Sequence, residues 1–302
     1  MLKIIFVTIF VFLDVLSSKE LITPIPDKIT DVDPQKAELG KRLFFDPILS
    51  KDGTIACVSC HIISAGGDDD RKVSIGINGS KGLINSPTVL NSRYNFVQFW
   101  NGRAKDLKEQ AQGPITSPME MGNSFENLIK TLNKTSYKKE FKKIYKEGIT
   151  KNSIVDAIAE YEKTLVTPDS RFDLFLKGKK DSLNDEEKRG YLLFKSKGCI
   201  ACHNGINLGS NMYAYSVSNS QKSEDLGRYS VTKNELDKYL FKVPTLRNIE
   251  LTAPYLHDGR FETLESVVKF MAHFQAGKII SEEEIDAIVS FLKTLTGKIP
   301  NE

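Results

Sequence analysis

The sequence predicts a mainly α-helical chain made of two related halves, with long loops and little strand. Three observations carry that expectation: apolar residues recur at helical spacing behind recognisable caps, a five-residue motif occurs twice, and a set of residues downstream of each motif repeats without a gap. The motif is Cys57-Val58-Ser59-Cys60-His61, and its second copy is Cys199-Ile200-Ala201-Cys202-His203. Those two copies use all four cysteines of the chain.

The helices are read in order. After a proline-rich lead, Thr23 to Pro26, Asp33-Pro34 supplies a cap and a first-turn proline for a helix with Leu39, Leu43 and Phe44 on its apolar face. It leads into the first motif. Ser124 to Tyr145 and Ser153 to Val166 carry the same periodicity, through Leu128, Ile129 and Leu132 and through Ile154, Val155 and Ile158, and Pro168 closes the second stretch. Near Asn184 the lead-in pattern returns, with Asp185, Glu186 and Glu187 in the first turn and Leu193 and Phe194 before the second motif. Thr263 caps a helix bearing Leu264, Val267, Val268 and Met271. Ser281 and Glu284 form a capping box for Ile285, Ile288, Val289 and Leu292.

The repeat is strongest downstream of the motifs. Pro87-Thr88-Val89-Leu90-Asn91 matches Pro244-Thr245-Leu246-Arg247-Asn248, and a glycine follows each proline by fifteen residues, in Asn101-Gly102-Arg103 and Asp258-Gly259-Arg260. Leu107 then matches Leu264. Equal spacing at so many identities marks two related domains, 19–168 and 169–302, behind a segment 1–18 of a different kind.

That opening segment has Lys3, then an apolar run from Ile4 to Phe12, then Ser17-Ser18. It reads as a secretory signal, with an uncleaved anchor as the alternative, so the expected location is the periplasm. The composition of the whole chain is that of a soluble globular protein, 40% hydrophobic with a mean hydropathy of -0.28. Lysine and arginine number 42 against 39 acidic residues, too even a balance for a nucleic-acid partner.

Cys-x-x-Cys-His is the attachment signature of a c-type haem. The thiols add across two porphyrin vinyl groups and the next residue turns its imidazole onto the iron. Cys-x-x-Cys alone also suits a thioredoxin-like redox pair or a zinc site. Neither copy sits between a strand and a helix, and the two pairs lie too far apart in sequence for a compact zinc module. The expectation is two covalently bound haem c groups, on Cys57, Cys60 and His61 and on Cys199, Cys202 and His203, in two domains like class-I cytochromes c.

The repeat also separates the two haems. It sets Pro114 opposite Met271, and a thioether is a good sixth ligand for haem iron whereas proline offers none. The second haem is therefore expected to be closed by His203 and Met271. Met212, in a polar loop nine residues after His203, is the competing ligand. The first haem is expected to be open, with Gln110, Pro114 and Glu120 above it. There a carboxylate can move a proton from one peroxide oxygen to the other. Trp100 is the only tryptophan, matched in the repeat by His257, and is a candidate for passing electrons between the haems.

Together these residues resemble the bacterial di-haem cytochrome c peroxidases and the wider group with the MauG-type enzymes. The likeness covers nearly the whole chain from Leu39. It is dense in the stretches 84–92, 98–110 and 252–260. It implies a peroxidatic haem near the N-terminus with Gln110 and Glu120 at its distal side, and a C-terminal haem that takes electrons from a small cytochrome c or copper protein. It also implies Trp100 between the haems, a calcium ion at Asn85, Thr252 and Pro254, and a homodimer. MauG-type relatives place tyrosine where this chain has Met271, which favours the peroxidase branch.

The chain departs from the family at Ser74-Ile75-Gly76-Ile77-Asn78, where Ile77 stands in place of a histidine that commonly ligates the resting peroxidatic haem. Isoleucine cannot bind iron. The first haem is then expected to be five-coordinate or water-bound, with Lys72 and Lys81 as candidate substitutes for the missing ligand. The expected function is a periplasmic cytochrome c peroxidase. The alternatives are a MauG-like oxidase acting on a protein substrate and a non-catalytic di-haem electron carrier.

Overall fold

The computed structural model describes residues 20–216 and 225–301. The segment read as a signal, 1–18, lies outside the described residues. The fold is mostly helical. The first half contains α1 (Pro34–Phe45), α2 (Leu107–Thr116), α3 (Phe125–Leu132), α4 (Tyr137–Ile144) and α5 (Lys151–Glu162). The second contains α6 (Arg171–Leu176), α7 (Asp185–Ser196), α8 (Tyr229–Thr232), α9 (Leu264–Phe270) and α10 (Glu282–Lys293). Among the described residues strand is confined to β1 (Tyr213–Tyr215) and β2 (Leu240–Lys242), which pair antiparallel with Tyr213 opposite Lys242.

The helices start where their caps dictate. Asp33 accepts hydrogen bonds from Gln35 N and Lys36 N, and Asn184 and Glu187 form a capping box on α7. Ser124, Thr263 and Ser281 accept from the third residue of α3, α9 and α10. The ends are less faithful to apolar periodicity. The stretch 124–145 is two helices, because Asn133 ends α3 and Thr135 and Ser136 bend the chain before α4. The helix expected from Ser153 begins earlier, at a Thr150 cap with Ser153 as its partner, and stops at Glu162 rather than at Val166.

Each half is built on the same crossed pair. Helix α1 packs on α5, and α7 packs on α10. A Cβ added at Gly40 would lie 1.8 Å from the Ala157 carbonyl oxygen, and one at Gly190 would lie 1.9 Å from that of Ala287. Only glycine permits so close a crossing. Tyr161 closes the first crossing and Phe291 the second.

The backbone repeats as the sequence does. Asn91 and Asn248 both have φ of 60°, Phe99 and Leu256 have 66° and 70°, and Gly102 and Gly259 have 66° and 58°. Positive φ at a bulky residue is rare, so its recurrence at matched positions marks a duplicated loop rather than a chance likeness. The bridges Gln98–Ala104 and Tyr255–Phe261 recur as well.

The halves meet about a pseudo-two-fold axis. Asn85 N donates to the His257 carbonyl at 2.8 Å and Lys242 N donates to the Trp100 carbonyl at 2.7 Å, each bond being the image of the other. Thr167 Oγ1 accepts from Asn91 Nδ2 at 2.8 Å and from Asn248 Nδ2 at 3.0 Å. The lead segment packs on the second half: Ile22 lies in its core, Ile25 N donates to Asp173, and Arg247 donates to the Thr23 carbonyl. By its contacts, the chain from Ile22 to Ile25 goes with the C-terminal core, although it precedes the first half in sequence.

Candidate functional site

A cavity of about 1090 Å³ runs through both halves, larger than the roughly 300–1,000 Å³ of an ordinary small-molecule pocket. Cys57, Cys60 and His61 line it in one half, and Cys199 and His203 in the other. Each motif is a tight 3₁₀ turn: His61 N donates to the Cys57 carbonyl at 3.0 Å and His203 N to the Cys199 carbonyl at 3.0 Å. Such a turn holds thiol and imidazole on one side of the backbone.

His61 Nδ1 donates to the Gly67 carbonyl at 3.0 Å and His203 Nδ1 to the Leu208 carbonyl at 3.2 Å. That fixes the tautomer and leaves Nε2 as the ligating nitrogen. Burial pushes the His61 imidazole below its ordinary pKa and the His203 imidazole to about 4, so both are neutral, as ligands must be. The four cysteines form no disulfide, and burial raises the Cys57 thiol and pushes that of Cys199 to about 11. Two thiols and a neutral imidazole per motif suit a covalently attached haem, which these residues would hold and which would supply a redox-active iron.

Across the cavity the halves differ. In the first, Gln110 and Pro114 of α2 and Glu120 of the following loop line the wall. Burial holds the half-buried Glu120 carboxyl above its ordinary range, opposed by the nearby Arg103 guanidinium and a hydrogen bond with Ser117. In the second half α9 runs on as a π turn that begins at Met271, and Met271 lines the cavity. Met212, the competing methionine, is 37% exposed and lies outside the cavity wall.

Ile77 turns away from the cavity. Its Cδ1 occupies the space beside Gly122, and its N–H donates to the Glu120 carbonyl at 2.8 Å. At Gly76 an added Cβ would lie 2.1 Å from the Met119 carbonyl, so the Ile77 loop is clamped on the loop that carries Glu120. Lys72 and Lys81 do not line the cavity. Lys72 instead packs against Gly259, and Lys81 bridges Ile75.

Trp100 is buried where the halves meet, with its indole Nε1 donating to the Asn85 carbonyl at 3.0 Å and its ring edge-on to His257 at 6.3 Å. Asn85, Thr252 and Pro254 line the same cavity, and Asn85 Nδ2 donates to the Arg71 carbonyl, which turns its Oδ1 the other way.

Sequence reasoning did not single out four buried or cavity-lining charges: Asp68, Arg103, Glu162 and Lys242. Burial lifts the Asp68 carboxyl to about 8 and lowers the Lys242 ammonium to about 8. Glu162 alone left a signal, since it follows Ile158 by one helical turn and so falls on the apolar stripe of α5.

A helical repeat whose halves each turn a Cys-x-x-Cys-His motif with a neutral imidazole onto one shared cavity is a di-haem c-type protein. The family model of di-haem cytochrome c peroxidase matches residues 34–181. The cytochrome c551 peroxidase of Nitrosomonas europaea is 47% identical over 292 residues, covering 95% of this chain and 87% of that one. The cytochrome c peroxidase Ccp of Escherichia coli is 46% identical over 286 residues, covering 92% of this chain and 61% of its own length. Among solved structures, a MauG-like protein associated with microbial copper homeostasis superposes with a TM-score of 0.79 at 27% identity, over 92% of this chain and 94% of that one. The chain belongs to the bacterial di-haem cytochrome c peroxidase family. It is an enzyme of that peroxidase class, and its cofactors are two haem c groups.

Proposed function

We propose that the chain is exported to the periplasm and there reduces hydrogen peroxide to two waters. It takes two electrons from a small cytochrome c or a cupredoxin and two protons from solvent. One observation carries this reading: α2 presents Pro114 to the cavity where its counterpart presents Met271. One haem keeps a free face and the other does not.

Bound through Cys57 and Cys60 and ligated by His61, the first haem supplies an iron that binds peroxide and passes it electrons. Glu120 then manages the protons. Its carboxylate accepts the proton of the near oxygen and delivers it to the far one, so that the O–O bond breaks with water as the leaving group. A carboxyl held above its usual range suits a group that must both take and return a proton. Gln110, one turn before Pro114, has an uncharged amide that can orient peroxide without competing for its protons.

Cys199, Cys202, His203 and Met271 would hold the second haem, which would supply the entry point for electrons from the donor. Trp100, between the halves, carries them to the first. Asn85, Thr252 and Pro254 would hold a calcium ion, through side-chain and main-chain oxygens. The donors are all oxygen, the set this hard cation prefers. The active form is a homodimer. A MauG-like oxidase would need a different second haem, since Met271 favours the ferrous state.

Because Ile77 packs beside Gly122 and clamps the Glu120 loop, the first haem is open without prior reduction of the second. Electron paramagnetic resonance of the oxidised protein, paired with peroxide turnover before any reductant is added, tests this. A high-spin ferric signal with immediate turnover is expected. Two low-spin signals and a lag would overturn it.

A further inference from the structure

Helices α5 and α10 hold the same place in the two halves. The Ala157 and Ala287 carbonyls lie against Gly40 and Gly190, the Tyr161 and Phe291 side chains close the same crossings, and Ile158 and Ile288 both line the cavity. One residue past the aromatic the halves part. The second presents Leu292 to the cavity and the first presents Glu162. Leucine at the matched position shows that packing against this crossing does not need a carboxyl.

Glu162 is 5% exposed, and its Oε2 has no hydrogen-bond partner. The charged groups around it are engaged elsewhere. On α5 itself Glu160 pairs with Lys163 at 2.5 Å, and Asp156, farther up the helix, pairs with Lys36 of α1 at 2.8 Å and with Lys108 of α2. Arg42 of α1 pairs with Glu140 of α4, and Arg93 pairs with Asp31. On the cavity side its ionisable neighbour is Cys57, whose sulfur becomes a thioether when haem is attached. Burial alone pushes the Glu162 carboxyl up to about 8. An unpaired buried carboxylate is costly unless opposite charge lies beside it, and the first haem, which would fill the cavity beside Cys57, is the group that can supply that charge.

We propose that Glu162 is the proton partner of the first haem: its carboxylate binds one proton from solvent as one electron enters that iron, ferric becoming ferrous, and releases it as the electron leaves. The extra positive charge of the ferric state favours the carboxylate, and its loss favours the acid. One charge in and one charge out leaves the pocket's net charge constant. Leu292 gives the second haem no such partner. The inference rests on the di-haem assignment and is independent of peroxide chemistry.

Spectroelectrochemical titration of the holoprotein from about pH 5 to about pH 9 tests it, a window that spans ordinary and raised carboxyl values. The haem that binds cyanide is scored as the first. Within that window its ferrous-to-ferric ratio at fixed potential should fall tenfold per pH unit, which is about 59 mV for one electron, while the other haem stays flat. Glu162→Gln should abolish the slope at the first haem and leave the second unmoved. Glu162→Leu copies the matched residue, should fold, and should behave like the glutamine variant. A slope that survives in Glu162→Gln, or that moves equally at both haems, would overturn the proposal. Peroxide turnover measured on the same samples keeps it apart from the peroxidase reading, because loss of turnover with an intact slope contradicts only the latter.

Discussion

Pro114 and Met271 hold matched positions and both line the cavity, one with a ring and the other with a thioether, and the proposed division of work between the haems rests on that difference. Met271→Ala should open the second haem, raising cyanide binding from one to two per chain and lowering the potential of that haem. Cyanide titration and potentiometry read the two effects separately. Glu120→Gln removes the proton carrier while keeping the shape, and should slow peroxide turnover by roughly 10²–10⁴ with electron uptake at the second haem intact. As a base, Glu120 must be ionised when peroxide arrives. Its carboxyl lies above the ordinary range, so wild-type turnover should fall as pH drops through that raised value, and the glutamine variant should lose this acid limb. The pairing of Pro114 with Met271 was legible in the sequence because the repeat runs without a gap from Leu107 to Pro114, whereas Glu120 lies beyond that stretch and rested on resemblance. Lys242 and Asp68 were not legible, since nothing local shows that the fold will bury them.

At the level of helices, caps were easier to read than ends. Asp33, Thr263 and Ser281 each accept the expected first-turn hydrogen bonds, because capping is decided by a side chain and its own backbone. The break between α3 and α4 escaped because Leu132, Tyr137 and Phe141 keep the apolar face going across it. The crossing of α1 on α5 escaped too, since a glycine inside a helix tells nothing of the carbonyl that will press on it. Gly40→Ala forces a methyl into the Ala157 carbonyl, rigid backbone on both sides, and should cost at least about 1–3 kcal/mol. A lowered denaturation midpoint by far-ultraviolet circular dichroism, with haem still attached, is the expected result.

In the molecule as a whole, buried polar groups tie distant parts of the chain together, as Thr167 does by accepting from Asn91 of the first half and Asn248 of the second. Arg247 and Asp173 form a fully buried ion pair at 2.7 Å, and the same two residues hold the lead segment through Thr23 and Ile25. Asp173→Ala would strand a buried guanidinium and should destabilise by about 3–5 kcal/mol, with the lead released to proteolysis before the rest unfolds. Denaturant titration and limited digestion check both parts.

The paired bonds from Asn85 to His257 and from Lys242 to Trp100 carry an evolutionary consequence. Each copy of the duplicated loop satisfies a buried main-chain donor of the other, so a gene that lost one copy would leave the survivor with an orphaned amide and an uncovered indole. The duplication therefore acts as a ratchet. Once the copies had become each other's missing wall, they could diverge in ligand, charge and task, but neither could be discarded.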